Sequence, residues 1–487
     1  MEVLDVIVIG YGPAGAVAAN LLGRAGLRAA VFETTTSVYH LPRAAHFDAE
    51  IMRVFQAIGL AEAVTPATTR VRGMHFITAN GEKLFGVDAP EALTEHGWAA
   101  GYLFYQPDLE RALRAGVERF PQVAVHLGHE VVDLTQHADR VEVAVRDLAS
   151  GAVRRVAVRW VLGCDGARSI ARKTSGIELE DLEFDQPWLV VDTMLTRPVD
   201  LPSVVHQVCD PARPSTFIPS VGRHRRWEFM LLPGEDAEAM QRPERIFELM
   251  APWVGHDDVE VIRSAVYSFH ALIARQWRDR RVLLLGDAAH QMPPFLGQGM
   301  CAGIRDAANI VWKIAMVLSG RAGEALLDTY QQERAPHVRG VIELAVSLGR
   351  IIQTTDPAVA AARDCSFREP GSAPLTDAVR LPGLAEGCLW GGKPAGEVLP
   401  QVRVRTQDGS VAMLDDVLGD GFVVVGRDAL EGLPFVEVGP RGVVDLDGAL
   451  EGWIARHGTA VVRPDRYVFG VVRDGLGEAL RLKLSAP

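Results

Sequence analysis

Gly10-Tyr11-Gly12-Pro13-Ala14-Gly15 decides how the N-terminal half of the chain is read. The hexapeptide follows a short apolar, β-branched run, residues 3–9, and opens an Ala- and Leu-rich stretch, residues 13–24. A second apolar run, residues 27–33, ends on Glu33. Buried strand, tight turn, helix and parallel strand make the βαβ opening of a doubly wound sheet. In that context each glycine has a task. Gly10 permits the turn, Gly12 lets the backbone approach a pyrophosphate, and Gly15 allows close packing of helix on strand. The helix that Pro13 and Ala14 open offers unpaired N–H groups and a positive dipole end to phosphates. Glu33 can accept from ribose hydroxyls and would repel a 2′-phosphate, so FAD or NAD is expected here rather than NADP. The competing reading is an ordinary glycine-rich turn. The strand, helix and acid in sequence argue against it.

The bulk properties limit what such a site can serve. A chain of 487 residues holds two to four domains, and 48% hydrophobic with 23% charged residues is a globular composition. A net charge of −12 argues against a nucleic-acid partner, which needs a positive face. The five cysteines form no C-x-x-C pair, so neither a zinc site nor a disulfide framework is expected; no metal is, and a reducing cytoplasm fits. Residues 3–22 approach the length of a membrane span, but Asp5 and the glycine turn interrupt them, and no membrane partner is expected.

Further along, strand-like segments occupy residues 70–87, a helix 107–120, a meander 123–145 and a strand 154–162. Between about 180 and 270 the pattern becomes that of a mostly antiparallel sheet with Pro-rich turns. A buried strand at 281–285 leads to a long helix at 299–319 and another at 326–352. Residues 354–384 read as a linker, and 402–482 as a small α/β unit. The expected fold is α/β. A doubly wound dinucleotide-binding domain at 1–175 and 276–365 surrounds an inserted, mostly antiparallel β-sheet domain at 176–275, and a C-terminal domain spans 385–487.

Two later motifs choose among dinucleotides. Gly163-Cys164-Asp165-Gly166-Ala167-Arg168-Ser169 and Gly286-Asp287-Ala288-Ala289-His290-Gln291-Met292-Pro293-Pro294 each put an acid beside glycine after a buried strand. The second continues through Gly297-Gln298-Gly299-Met300. Either alone reads equally well as a capped turn. Together with the first fingerprint, their order resembles the class A flavoprotein monooxygenases of the 4-hydroxybenzoate hydroxylase-like fold. The resemblance extends to about residue 350. It is nearest to the 3-(3-hydroxyphenyl)propionate hydroxylases in Pro42-Arg43-Ala44, Cys209-Asp210-Pro211-Ala212-Arg213-Pro214, Arg226-Trp227-Glu228-Phe229-Met230 and Leu327-Asp328-Thr329-Tyr330-Gln331-Gln332-Glu333-Arg334. Val462-Arg463-Pro464-Asp465-Arg466-Tyr467 resembles the thioredoxin-like C-terminal domain of the phenol hydroxylase branch, without the redox cysteines.

The resemblance implies an FAD-dependent hydroxylase that consumes NADH or NADPH and O2 and hydroxylates a small phenolic substrate through a hydroperoxide at flavin C4a. Asp287 would hold the ribityl chain, Asp165 would lie near the pyrophosphate, and Arg43 and Gln106 would contact FAD. Cys301 stands where relatives commonly carry Asn. The turn Gly297-Gln298-Gly299-Met300 opens the long helix, so its N–H groups can stabilise charge on the reduced flavin. Candidate catalytic groups are His46, His290 and Pro293, with structural histidines the competing reading. Trp227, Phe229 and Pro294 are the candidate substrate-lining residues, although one face of that strand must be core. Arg223, Arg225 and Arg226 can reach a substrate carboxylate or form a solvated basic turn. A Baeyer–Villiger or epoxidising enzyme on the same fold, and a non-catalytic FAD-binding module, are the alternatives. A homodimer is compatible with the tail. All candidate FAD residues precede residue 310, so removing the tail near 384 is expected to leave flavin binding intact.

Overall fold

Strand Leu4–Ile9 is buried from Val6 onward because it runs parallel between two neighbours, Ala29–Glu33 and Val153–Gly163. A parallel strand covered on both faces has no polar side to show, which is why the run is continuously apolar. The computed structural model describes residues 3–40, 42–369 and 381–485. In it the first sheet follows the order Arg278–Asp279, Val282–Leu284, Val153–Gly163, Leu4–Ile9, Ala29–Glu33, Val123–Leu127, with the hairpin His129–Gln136 and Val141–Asp147 added at Val153–Gly163. Helices Pro13–Arg24 and Gly299–Leu318 pack together against it, both start at its carboxyl edge, and both bury Ala-rich faces.

The second sheet has eight strands in the order His290–Gln291, Val259–Ala274, Leu179–Leu195, His224–Met230, Ser215–Ile218, Val205–Val208, Gly73–Ile77, Lys83–Asp88. Its middle is antiparallel, as the alternation predicts. It does not respect the boundaries 176–275, because Gly73–Ile77 joins it in parallel beside Val205–Val208 and His290–Gln291 joins the other edge. One face packs Leu189, Val191, Phe217, Trp227 and Phe229 on the helix Pro243–Met250. The other face turns toward the first domain.

The stretch read as a linker begins with a helix, Pro357–Arg368. Asp356 caps it by accepting from the Ala358 and Val359 N–H groups, and Pro357 opens the first turn. Residues 370–380 of that stretch lie outside the described residues.

The C-terminal unit carries a four-stranded mixed sheet ordered Phe435–Glu437, Val423–Gly426, Ala460–Val462, Val468–Val471. It is fastened to the rest of the chain through buried charge. Arg53 donates twice to Asp415, at 2.8 Å each, and once to the Leu399 carbonyl. Glu333 accepts from Arg463 at 2.7 Å and from Asn309 at 2.6 Å, with Lys313 at 2.8 Å. Tyr467 donates to Glu50 at 2.7 Å. Trp312 and Leu326 share an apolar cluster with Phe422, Val424 and Phe469.

These contacts argue against the expectation that flavin binding survives removal of the tail near residue 384. Its loss takes Asp415 from Arg53 and Arg463 from Glu333, which keeps Lys313 and Asn309, and it uncovers Trp312 and Leu326, a larger penalty than losing surface contacts. Asp415→Ala is expected to cost about 3–5 kcal/mol, read as a lower urea midpoint by circular dichroism. A chain ending at residue 384 is expected to aggregate rather than bind flavin. An unchanged midpoint, or a soluble yellow truncated protein, contradicts this role of the tail.

Candidate cofactor and substrate site

The three glycines of the first turn meet different surroundings. Gly10 has φ +92°, and a Cβ there would fall 2.4 Å from the Cys164 carbonyl oxygen. A Cβ on Gly15 would lie 2.1 Å from the Gly10 carbonyl oxygen. Both are glycine because backbone meets backbone. At Gly12 a Cβ would meet no protein atom within 4 Å, so the space in front of it is open. Glu33 latches this turn. One carboxylate oxygen accepts the Tyr11 N–H at 2.8 Å, and the other accepts from Thr34 and Thr35. Burial alone would raise its pKa, but the Thr35 and Tyr11 N–H groups outweigh that and hold the carboxyl below its usual range.

Gly12, Pro13 and Ala14 open onto a cavity of about 690 Å³ between the two sheets, within the range of small-molecule sites. Arg43, Ala44, His46 and Gln106 line it from one side, and Asp287, Gly297, Gln298, Gly299 and Met300 from another. Asp287 is exposed to the cavity. Its carboxylate accepts no hydrogen bond from the described residues. Gly297 has φ +63°, and a Cβ there would stand 3.1 Å from His46 Nδ1. His46 is held neutral by burial, which lowers its pKa against the pull of Asp48.

The turn before helix Gly299–Leu318 is braced from beneath. Arg305 donates to Gln298 Oε1 at 3.1 Å, to Asp48 at 2.6 Å and to Glu50 at 2.6 Å. Burial raises both carboxyl pKa values, yet Arg305 overrides it, and Asp48 falls to about 2. Cys301 is buried with its thiol 3.9 Å from the His46 carbonyl and 3.8 Å from that of Gly297, long contacts that fit a weak donor.

The second sheet supplies the opposite wall through the residues between its core positions. Val190, Gln207, Thr216, Arg226, Glu228, Tyr267 and Phe269 line the cavity. Trp227 and Phe229, candidates for this wall, point the other way: they are 0% and 1% exposed within the core under the helix Pro243–Met250. In a strand alternate side chains face opposite sides, so the polar members of Arg226-Trp227-Glu228-Phe229 take the cavity. That signal was present in the sequence as a strand whose polar face is as regular as its apolar one. Arg226 bonds Asp192 at 2.7 Å, the Arg43 carbonyl at 2.7 Å and the Pro42 carbonyl at 2.9 Å, and Arg263 also donates to the Pro42 carbonyl. Arg225 bonds the carbonyls of its own turn, and Arg223 is exposed.

Other candidates sit behind the wall. His290 is fully buried, with Nε2 2.7 Å from Asp306, and its ring packs on Trp277 rather than reaching the cavity. Pro293 is buried, whereas Pro294 lines the cavity with its carbonyl already accepting from Gly297 N–H at 2.7 Å. Asp165 caps the helix Ile170–Thr174, accepting from Ser169 and from the Ile170 and Ala171 N–H groups, while Cys164 and Gly166 face the cavity. Gln106 spends its oxygen on the N–H groups of Arg43 and Ala44, both at 2.7 Å, and its amide on Glu110.

Residues 3–345 match the family described as FAD binding domain, and residues 396–433 match the family described as HcaD C-terminal domain. The chain is 39% identical to the probable NADH-specific resorcinol 4-hydroxylase of Rhodococcus jostii (strain RHA1), over 97% of this chain and 93% of that protein. It is 36% identical to the 3-(3-hydroxy-phenyl)propionate/3-hydroxycinnamic acid hydroxylase of Mycolicibacterium gilvum (strain PYR-GCK), over 99% and 93%. The fold is that of the flavin-dependent monooxygenase PieE, solved with FAD and substrate, with TM-score 0.83 at 22% identity over 99% of this chain and 98% of that one. Aklavinone-11 hydroxylase, solved with FAD and aklavinone, gives 0.82 at 22% identity over 99% of each chain.

Gly12 offers a clean test of where phosphates bind. Its φ of −70° suits any residue, and a side chain there meets no protein. Gly12→Val is expected to fold with unchanged thermal stability as the apoprotein and to bind FAD at least about tenfold more weakly, since the branch occupies the backbone approach. Fluorescence titration of the apoprotein with FAD reads the affinity. Wild-type affinity places the pyrophosphate elsewhere.

Proposed function

The chain belongs to the FAD binding domain family and is an FAD-dependent aromatic hydroxylase, and from that premise we propose that it hydroxylates a small phenol, of the resorcinol or hydroxyphenylpropionate kind, at the expense of NADH. The observation that carries this reading is one continuous cavity with two unlike ends. One end is the open, Cβ-free approach at Gly12 with the unpaired Asp287, and the other is a half-apolar, half-polar sheet face. A phenol has the same split character, an apolar ring with a hydroxyl.

The residues fit FAD. Gly12 and the start of helix Pro13–Arg24 would hold the pyrophosphate. Glu33, with lone-pair capacity left on the oxygen that accepts from Tyr11, would take a ribose hydroxyl. Asp287 would accept from the ribityl chain, which answers its lack of a protein partner. Arg43 lines the same side, and Gln106 fixes the Arg43–Ala44 backbone. The turn Gly297–Met300 would meet the pyrimidine edge of the ring. When bound, FAD supplies the two-electron carrier and the oxygen-activating ring.

The rest is the work of this chain. Preorganised N–H groups at the start of helix Gly299–Leu318 stabilise negative charge without reorganising. The buried Asp48–Glu50–Arg305–Gln298 set holds that turn still. Val190, Tyr267 and Phe269 keep the ring side apolar and exclude water. His46 is neutral and lines the cavity, so it can exchange a hydrogen bond there. The mixed C-terminal sheet, parallel at Val423–Gly426 with Phe435–Glu437 and antiparallel beyond, supports a thioredoxin-like reading in which the tail braces the FAD domain.

Two measurements test this. Incubation of the FAD-loaded protein with NADH, resorcinol and 18O2 is expected to give a product one 18O heavier, with NADPH a poorer donor. NADH consumption indifferent to every phenol, yielding only hydrogen peroxide, contradicts hydroxylation. For Gly299→Val, a Cβ meets only Met292 Cγ, at 3.7 Å, so the protein tolerates the branch while its N–H groups are displaced from the ring. Flavin reduction should slow about 10²-fold, equivalent to ~3 kcal/mol, with a lower reduction potential. A wild-type rate and potential in a variant that binds FAD remove this turn from the ring.

A further inference from the structure

The hydroxylation reading leaves open which group receives the substrate hydroxyl, and the inference here rests on that reading. Glu228 stands in the middle of the sheet wall. It is 5% exposed, it lines the cavity, and its carboxylate accepts no hydrogen bond from the described residues. A buried carboxylate without a hydrogen bond is costly, so its place in the cavity wall calls for a partner that arrives with the ligand.

Its neighbours do not supply that partner. Arg226, on the same strand, comes only to 3.8 Å, and its stronger bonds go to Asp192 and to the carbonyls of Pro42 and Arg43. Val190 and Thr216 stand directly opposite Glu228 on the two flanking strands. Thr216 donates its hydroxyl to Gln207 Oε1 at 2.6 Å, so it is already committed one strand further along. The charged groups facing Glu228 are thus Arg226 on its own strand and Asp192 on the neighbouring one, with Arg263 3.6 Å from Asp192. Arg43 and His46 line the same cavity from the Pro42–Arg43 side.

We propose that Glu228 is a catalytic residue: its carboxylate binds the phenolic hydroxyl of the substrate and takes its proton as the ring is oxygenated. The O–H bond breaks, the proton passes to a Glu228 oxygen, and the electron pair flows into the ring, whose ortho or para carbon attacks the oxygen that the flavin delivers. Overall, phenol, O2, NADH and a proton give diphenol, NAD+ and water. On rearomatisation the ring C–H proton leaves in the water formed and Glu228 returns its proton to the carbonyl oxygen of the ring, so Glu228 ends as it began. Arg226 helps keep the carboxylate charged, and the Gln207–Thr216 pair offers a second hydroxyl of the substrate a polar neighbour.

The electrostatics agree with this task. Burial raises the Glu228 pKa to about 7, against the pull of Arg226 and with a push from Asp192. A base needs its ionised form, so hydroxylation should rise with pH through about 7 and then level off, close to the optimum for a group working at neutral pH.

Glu228→Gln keeps shape and burial and removes only the base. With FAD-loaded protein, NADH and resorcinol, the variant is expected to make product about 10²-fold more slowly, to divert reducing equivalents to hydrogen peroxide, and to lose the rise with pH. FAD affinity and the resorcinol-induced change in the flavin spectrum should stay within a fewfold of wild type, which shows that the site is assembled. Glu228→Asp should recover part of the rate together with the pH rise. If wild type hydroxylates resorcinol and Glu228→Gln keeps its product yield and pH profile, the assignment of Glu228 is overturned while hydroxylation stands. If wild type oxygenates neither resorcinol nor 3-(3-hydroxyphenyl)propionate, the hydroxylase reading fails and the proposal with it.

Discussion

The guanidinium of Arg226, with that of Arg263 beside it, ties the second sheet to the Pro42–Arg43 segment over the cavity. Arg226 rises from the second sheet, is oriented by Asp192, and donates to the carbonyls of both Pro42 and Arg43 in the first domain. The same short segment is held from its other side by Gln106, which accepts the Arg43 and Ala44 N–H groups. Buried carbonyls and amides need partners, and a segment hydrogen-bonded on both edges becomes a rigid wall rather than a loop. The planar fork of arginine suits this, because one side chain reaches a carboxylate and two carbonyls at once, which a lysine ammonium on a flexible stem does less well.

A second charged set braces the helix-turn side of the cavity as Arg226 braces the sheet side. Gln298, Arg305, Glu50 and Tyr467 are linked in series, so the tail reaches the turn that opens helix Gly299–Leu318 without lining the cavity itself. One cation lies between two carboxylates, and burial of all three costs free energy that only close, multiple bonding recovers. Such networks hold geometry more than they add stability. A turn meant to present N–H groups to a ligand benefits from being held in one place before the ligand binds.

Much of this was legible in the sequence, and the reasons for what was not are physical. The G-x-G-x-x-G turn, the helix Pro13–Arg24 and the helix Gly299–Leu318 announced themselves because local sequence dictates turns, caps and continuous apolar strands. The wall residues were harder. Arg226 and Glu228 are polar residues in an alternating strand, and alternation says that there are two faces without saying which is covered by helices and which by a cavity. Large aromatics suggested a pocket at Trp227 and Phe229, yet bulk apolar side chains are what a sheet buries under helices. His290 looked like a site residue because it follows Asp287, but the turn of Gly286–Ala288 sends the two side chains to opposite sides of the wall. The second sheet draws strands from residues 73–77 and 83–88, a long-range pairing that no local pattern reveals. The tail's ion pairs with Arg53 and Glu333 were invisible for the same reason.

One continuous cavity, shaped at both ends by the Arg226-held wall between the sheets, is proposed to serve both the flavin and a phenol. A crystal structure of the FAD complex soaked with resorcinol tests it most directly. The isoalloxazine ring should lie against Gly297–Met300 with its ribityl chain at Asp287, and the resorcinol ring should stack within the same cavity, near the flavin and on the Val190, Thr216 and Glu228 face. Resorcinol bound outside that cavity, or an isoalloxazine ring filling the sheet-facing end and leaving no room for a second ring, would contradict it.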